Sequence, residues 1–167
     1  ALCHEGYIAP ARAGAHCIGA TFGPHDSDPA LRAADHASNI ASLARAVPAW
    51  QESLEQHDSA TLGGKVGFRC ASPDYLPLVG PVPDREAFLR DFAGLRSNAR
   101  QAIPQRGEYL NGLFLSTAHG SRGLSSTPLA AELLASQICA EPPPLGRELC
   151  RALAPARFII RDLSRNR

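Results

Sequence analysis

Residues 115–124, LSTAHGSRGL, set Ser121-Arg122 between Gly120 and Gly123, with a short apolar run before them and a long alanine- and leucine-rich run after. Three chemistries suit such a turn. A serine nucleophile elbow needs Gly-x-Ser-x-Gly, and the position two before Ser121 is His119, so the first glycine of that strained turn is absent. A phosphate loop needs Gly-Lys-Ser/Thr after a spaced glycine, and Gly63-Gly64-Lys65 has neither part of that frame around it. A glycine-lined platform fits better. Gly120 and Gly123 let the backbone approach a flat ligand, and amides at the following helix start point at its electronegative edge. A plain structural turn explains the same residues equally well. His119 beside it is either a site residue or a local hydrogen-bonding partner.

Arg69 is the second candidate. In residues 65–72, Val66, Phe68 and Cys70 alternate with Lys65, Gly67, Arg69 and Ala71, the period of a half-buried strand. Arg69 falls on the face away from the apolar set, where it faces solvent or, if that face lines a cleft, offers a rigid fork to a carboxylate. Tyr7 carries a hydroxyl that could serve the same anion or simply pack. His25, Asp26 and Asp28 read as loop and helix cap rather than an acid/base pair. Cys3-His4 and His16-Cys17 form the closest approach to a metal pattern, and adjacent residues on a strand point to opposite faces.

The elements that must position these groups follow from pattern and punctuation. Residues 6–10 and 16–22 favour strands around Ala13-Gly14, a β-hairpin. Asp28-Pro29 offers an N-cap and first-turn proline to a helix whose stripe is Ile40, Leu43, Ala44 and Val47, stopped by Pro48. Residues 51–64 are a surface connection with room for a short second helix. Pro73-Asp74 turns the chain, residues 76–81 are too proline-rich for a central strand, and residues 84–95 carry helical spacing at Phe88, Leu89, Phe92 and Leu95. Residues 97–108 are a polar linker, and residues 113–115 a short buried strand. Thr127-Pro128 caps the main stretch of a helix ending before Glu141-Pro142-Pro143-Pro144; a short helix starts near Leu145, and Phe158-Ile159-Ile160 read as a last strand. The order implies an α+β fold with an antiparallel or mixed sheet and packed helices.

With 167 residues, 44% of them hydrophobic, the chain can build one ordinary core or parts of two. No apolar run reaches the ~20 residues of a membrane span and no leader pattern opens the chain, so the expected compartment is the cytoplasm. Five cysteines without a C-x-x-C pair argue for buried thiols rather than a disulfide or zinc framework. A net charge of +1 excludes a polyelectrolyte trap for nucleic acid. Arginines do gather at the end, at 147, 151, 157, 161, 165 and 167, where they suit a phosphate, a domain contact or solvent. Methionine is absent even from position 1, and the chain reads as a piece of a longer protein.

Several stretches, in order, resemble one family: GYIAP, HCIGATFGPHDSDPALRAADHASNI, VGFRCASPDYLPLVGPVPD, HGSRGLSSTPLAAELLASQI and LAPARFIIRDL. They are similar to the C-terminal oxidoreductase part of the bifunctional tRNA 5-methylaminomethyl-2-thiouridine biosynthesis (MnmC) family and, more distantly, to the flavin-dependent D-amino acid and glycine oxidases. The resemblance implies the substrate-binding part of such a flavoenzyme over residues 1–105, the strand, turn and helix returning to the FAD domain over 106–140, and a basic tail over 141–167. It implies FAD as cofactor and tRNA as partner, with removal of a carboxymethyl group from a wobble uridine. A methyltransferase half using S-adenosylmethionine lies elsewhere in such proteins. In that setting Arg69 and Tyr7 match groups that bind the substrate carboxylate, and His119, Gly120, Ser121, Arg122, Gly123 and Leu124 match the segment facing the flavin. Ala118-His119 stands where the family pattern has a glycine and an apolar residue. No Gly-x-Gly-x-x-Gly is present to hold the ADP half of FAD, so this chain by itself is expected to bind FAD poorly and to be inactive. The alternatives within reach of the same residues are an amine oxidase acting on a free small molecule and a non-catalytic interaction module.

Overall fold

Ala13 and Gly14 take φ values of 51° and 79°, the left-handed pair that a two-residue hairpin turn requires. Arg12 and Ala15 exchange backbone hydrogen bonds across it at 2.9 and 3.2 Å. The expected hairpin forms with short arms: β2 (Tyr7–Ile8) pairs antiparallel with β3 (Ile18–Gly19), and β1 (Leu2–Cys3) adds a third strand beside β2. The computed structural model describes residues 1–167, and the chain divides into two compact units, Ala1–Phe68 and Arg69–Arg167.

In the first unit α1 (Ala33–Ala46) packs on β3 and buries Leu43 completely. The helix starts later than Asp28-Pro29 indicated. Asp28 receives the Ala30 amide at 2.9 Å and the Arg32 guanidinium at 2.9 Å, and Asp26 receives Arg32 at 2.6 Å, so both carboxylates hold the loop and Arg32 becomes the cap position. Arg32 holds both carboxyls below the usual range. Pro48 ends α1 as expected and opens a 3₁₀ turn, Pro48–Trp50, before the one-turn α2 (Gln51–Glu55).

Residues 65–70 are not a strand. They are irregular and exposed, Phe68 by 69%, and only Ala71 reaches a bridge, to His119. Alternation marks a chain suited to a half-buried ladder, but a ladder also needs successive pairing with a neighbouring strand, and here pairing stops at the single bridge of Ala71.

The second unit is built on β4 (Leu78–Pro83) and β5 (Tyr109–Thr117), an antiparallel pair running from Leu78 opposite Thr117 to Pro83 opposite Tyr109. Each strand of a two-stranded sheet is an edge, which is why a proline-rich β4 is tolerated. β5 is longer than the expected 113–115 and is not buried: Leu113 is exposed and Phe114 and Leu115 are half-buried.

The core is Val79, Ala130 and Leu133 with Leu134, Leu145, Cys150 and Leu153, formed where α4 (Gly123–Ile138) and α5 (Arg147–Leu153) meet β4. A fully buried Leu133 or Val79 contributes roughly 1.5–3 kcal/mol. Asp84 caps α3 (Arg85–Asp91) by accepting the Ala87 amide at 3.1 Å, and Phe88 stacks on Phe92 and meets Tyr109 edge-on. Thr127-Pro128 lies inside α4 rather than capping it, because the glycine turn itself opens the helix. Phe158-Ile159-Ile160 are helical, in α6 (Arg157–Ser164); buried Ala156 and Leu163 with Ile160 give the i, i+4, i+7 stripe that a three-residue apolar run conceals. The fold is thus α+β with small antiparallel sheets, and no helix is long and apolar enough to cross a membrane.

Arg157 ties the ends of this unit together. Its side chain is 11% exposed and donates two bonds to Asp74, at 2.9 and 2.8 Å, and others to the carbonyls of Leu76, Pro77 and Leu153. Asp74 also accepts the Leu76 amide, and Ser72 Oγ lies 2.7 Å from it. The Arg157 guanidinium, with help from these donors, holds the Asp74 carboxyl well below the usual carboxylate range. Replacing Arg157 by alanine should lower stability by about 2–4 kcal/mol in urea denaturation, and Arg157→Lys should restore little, since an ammonium cannot fork. The unfolded chain protonates Asp74 first on acidification, so the contribution is full above about pH 5 and is lost as pH falls below about 4. Asp74→Asn should flatten that acid limb of the stability profile.

Candidate functional site

The glycine turn is built by three consecutive constraints. β5 ends at Thr117; Ala118, buried and at φ 59°, reverses the chain; Gly120, at φ 57°, starts the 3₁₀ turn Gly120–Arg122 that runs directly into α4. A glycine adopts φ 57° without penalty, whereas Ala118 bears a left-handed conformation that costs about 1 kcal/mol, offset by burial of its methyl group.

The turn is pinned to the Arg69 stretch through main chain. The Gly120 amide donates to the Cys70 carbonyl at 3.0 Å, Ala71 bridges His119, and Cys70 Sγ lies 3.8 Å from Thr117 Oγ1. Two candidate segments fifty residues apart in sequence are therefore brought side by side. Arg69 is exposed at the residue preceding this link.

Not every amide of the turn faces outward. Gly120 donates to Cys70 and Arg122 donates to the His119 carbonyl at 3.1 Å. Ser121 and Arg122 are exposed, Gly123 is half-buried at the first position of α4, and Leu124 is completely exposed. The outer side of the turn is open, and its groups are helix-start amides and a guanidinium, a donor set that fits an electron-rich ring edge such as the pyrimidine side of a flavin. His119 has both ring nitrogens in use, with Nε2 3.1 Å from Ser116 Oγ and Nδ1 2.9 Å from Ser126 Oγ. Ser126 in turn donates to the Arg122 carbonyl at 2.9 Å, and Thr127 donates to the Gly123 carbonyl at 2.6 Å. Pro128 has no N–H for the Leu124 carbonyl, and the two hydroxyls bond the carbonyls just before it, those of Arg122 and Gly123.

Tyr7 lies in the first unit on β2, opposite Gly19 of β3. A Cβ at Gly19 would come within 3.1 Å of the Tyr7 hydroxyl, so the glycine gives the ring room to lie across the neighbouring strand. His25 sits at φ 67° in the loop whose Asp26 and Asp28 serve Arg32. His4 Nδ1 accepts the Gly6 amide and His16 Nδ1 donates to the Ala9 carbonyl; no group of three metal-ligating side chains gathers anywhere. Sequence reasoning missed Ser116 and Ser126 as partners of His119, and Asp74 with Arg157. The serines sit three before and seven after the histidine, a spacing with meaning only once strand, turn and helix are known.

Residues 2–137 match the model of the FAD dependent oxidoreductase family. The match covers most of the chain, and the chain belongs to that family. Among curated proteins, it is 49% identical over 167 residues to the tRNA 5-methylaminomethyl-2-thiouridine biosynthesis bifunctional protein MnmC of Saccharophagus degradans, covering 99% of this chain and 23% of that protein. Proteins of the same name from Chromohalobacter salexigens and Chromobacterium violaceum are 46% and 44% identical, over 98% and 99% of this chain and 24% and 25% of theirs. The chain spans about a quarter of the length of these relatives.

Because Gly120 holds a left-handed φ and a Cβ there would meet only the Ala71 methyl at an ordinary 3.9 Å, Gly120→Ala should cost about 1–2 kcal/mol in equilibrium denaturation through backbone strain, and Gly120→Asn distinctly less.

Proposed function

We propose that this chain is part of an FAD-dependent oxidoreductase that removes the carboxymethyl group from carboxymethylaminomethyl-uridine at the tRNA wobble position, leaving an aminomethyl group and releasing glyoxylate. Support comes from the family match and from relatives that share one name at 44–49% identity along nearly the whole chain. The structural observation that supports the reading is the main-chain link between Cys70-Ala71 and His119-Gly120, which joins the stretch carrying Arg69 to the glycine turn that opens α4.

When bound, FAD supplies a two-electron hydride acceptor. Gly123, Ser121 and Arg122 present donors suited to the negative charge that its ring edge carries once reduced, and Leu124 offers an exposed apolar contact. Arg69 holds the substrate carboxylate by its fork, which places the adjacent C–H for transfer, and Tyr7 is assigned as a second donor to that anion on the family resemblance. Loss of hydride from the carbon beside the carboxylate and a proton from nitrogen leaves a C=N bond, and water cleaves it. In this reading residues 1–105 serve the substrate and 106–140 the flavin, with the methyltransferase step and its S-adenosylmethionine in another part of the protein.

Arg69→Ala in the intact protein should raise KM for hypomodified tRNA tenfold or more, about 1.4 kcal/mol, and Arg69→Lys should recover only part of it. Steady-state turnover on hypomodified tRNA, glycine and sarcosine tests the substrate class. The free amines should be left untouched; their efficient oxidation without turnover of tRNA would identify a small-molecule amine oxidase instead.

A further inference from the structure

The bonds around His119 fix which way its protons point, and with them a role for the side chain. A serine hydroxyl has one proton. Ser126 directs its proton to the Arg122 carbonyl at 2.9 Å, so toward His119 it can only accept, and Nδ1 at 2.9 Å must carry hydrogen. In the neutral ring Nε2 is then an acceptor, and Ser116 Oγ at 3.1 Å donates to it. The result is a continuous relay from Ser116 near the end of β5, through the imidazole, to Ser126 and the carbonyl of the 3₁₀ turn.

The relay encloses the turn. Its ends lie three residues before and seven after the histidine, and between them are Ala118 and Gly120, both at positive φ. The Gly120 amide is anchored separately on Cys70. A short segment bearing one non-glycine left-handed residue at a cost of about 1 kcal/mol needs its surroundings to hold it, and the imidazole is the group that joins the strand before it to the helix after it.

We propose that His119, as the Nδ1–H tautomer, is a positioning residue that clamps β5 to the first turn of α4 and so fixes the Gly120–Arg122 turn for its ligand. The inference rests on the flavin reading for the identity of that ligand, and on the hydrogen-bond geometry alone for the clamp. His119 needs no contact with the flavin to act in this way.

The test uses the intact protein with His119→Ala, His119→Asn, His119→Gln, Ser126→Ala and Ser116→Ala. Nitrogen-15 NMR of the apo protein should show the His119 ring protonated at Nδ1, and Ser126→Ala should abolish that preference. In His119→Ala, amide exchange over residues 119–124 should accelerate tenfold or more while the thermal midpoint stays near wild type. FAD dissociation should rise about tenfold and the flavin midpoint potential should fall, with substrate KM unchanged. Asparagine, whose amide donor occupies the place of Nδ1, should recover most of the loss and glutamine little. An Nε2–H ring in the wild type, or exchange and FAD affinity unchanged in both His119→Ala and Ser126→Ala, would overturn the proposal. Should His119→Ala fail to fold, the two serine variants carry the same readouts. A wild-type protein that takes up no flavin would remove the flavin reading, and the tautomer and exchange results would still decide the clamp.

Discussion

The Gly120 amide bound to the Cys70 carbonyl at 3.0 Å, beside the Ala71 to His119 bridge, is the constraint on which the second unit's site depends. It joins the exposed chain that carries Arg69 to the end of β5 and the start of α4. Residues 65–70 belong to no strand, and Ala71 makes an isolated bridge. The core of Val79, Ala130 and Leu133 holds α4 on the two-stranded sheet, and the Ser126 and Thr127 hydroxyls bond the carbonyls of Arg122 and Gly123 where that helix begins.

Charge in this unit is used for structure. Arg157 belongs to the arginine-rich end that sequence alone offered to a phosphate, yet its fork is filled by Asp74 and by main-chain carbonyls, and its other face lies against Phe158 at 4.4 Å. The Pro73-Asp74 turn and the closing LAPARFII stretch are thus two halves of one contact. Arg147, Arg151, Arg165 and Arg167 remain exposed on the same part of the chain.

Local chemistry was legible in the sequence where a residue decides its own backbone. Ala13-Gly14 closed its hairpin, Pro48 ended α1, Asp84 began α3, and the glycine turn preceded a long helix as its spacing implied. The failures lay where a partner decides. Alternation in residues 65–72 could not report that pairing is limited to one bridge at Ala71, and Asp28 reads as a helix cap until Arg32 is seen to take its carboxylate. Phe158-Ile159-Ile160 looks like a strand until Ala156 and Leu163 extend the stripe to a helical period. Of the candidate site, Arg69 and the turn were found by residue type and by resemblance. Their junction through Cys70 and Ala71 was not, since a main-chain bond leaves no mark in side-chain identity.

Hydrogen exchange of the intact protein with and without FAD measures the central claim directly. Protection on FAD binding should concentrate in residues 119–124 and extend through the Cys70 link into residues 69–71. Protection confined to other segments, with the turn exchanging at the same rate in both states, would contradict the assignment of this turn as the flavin platform.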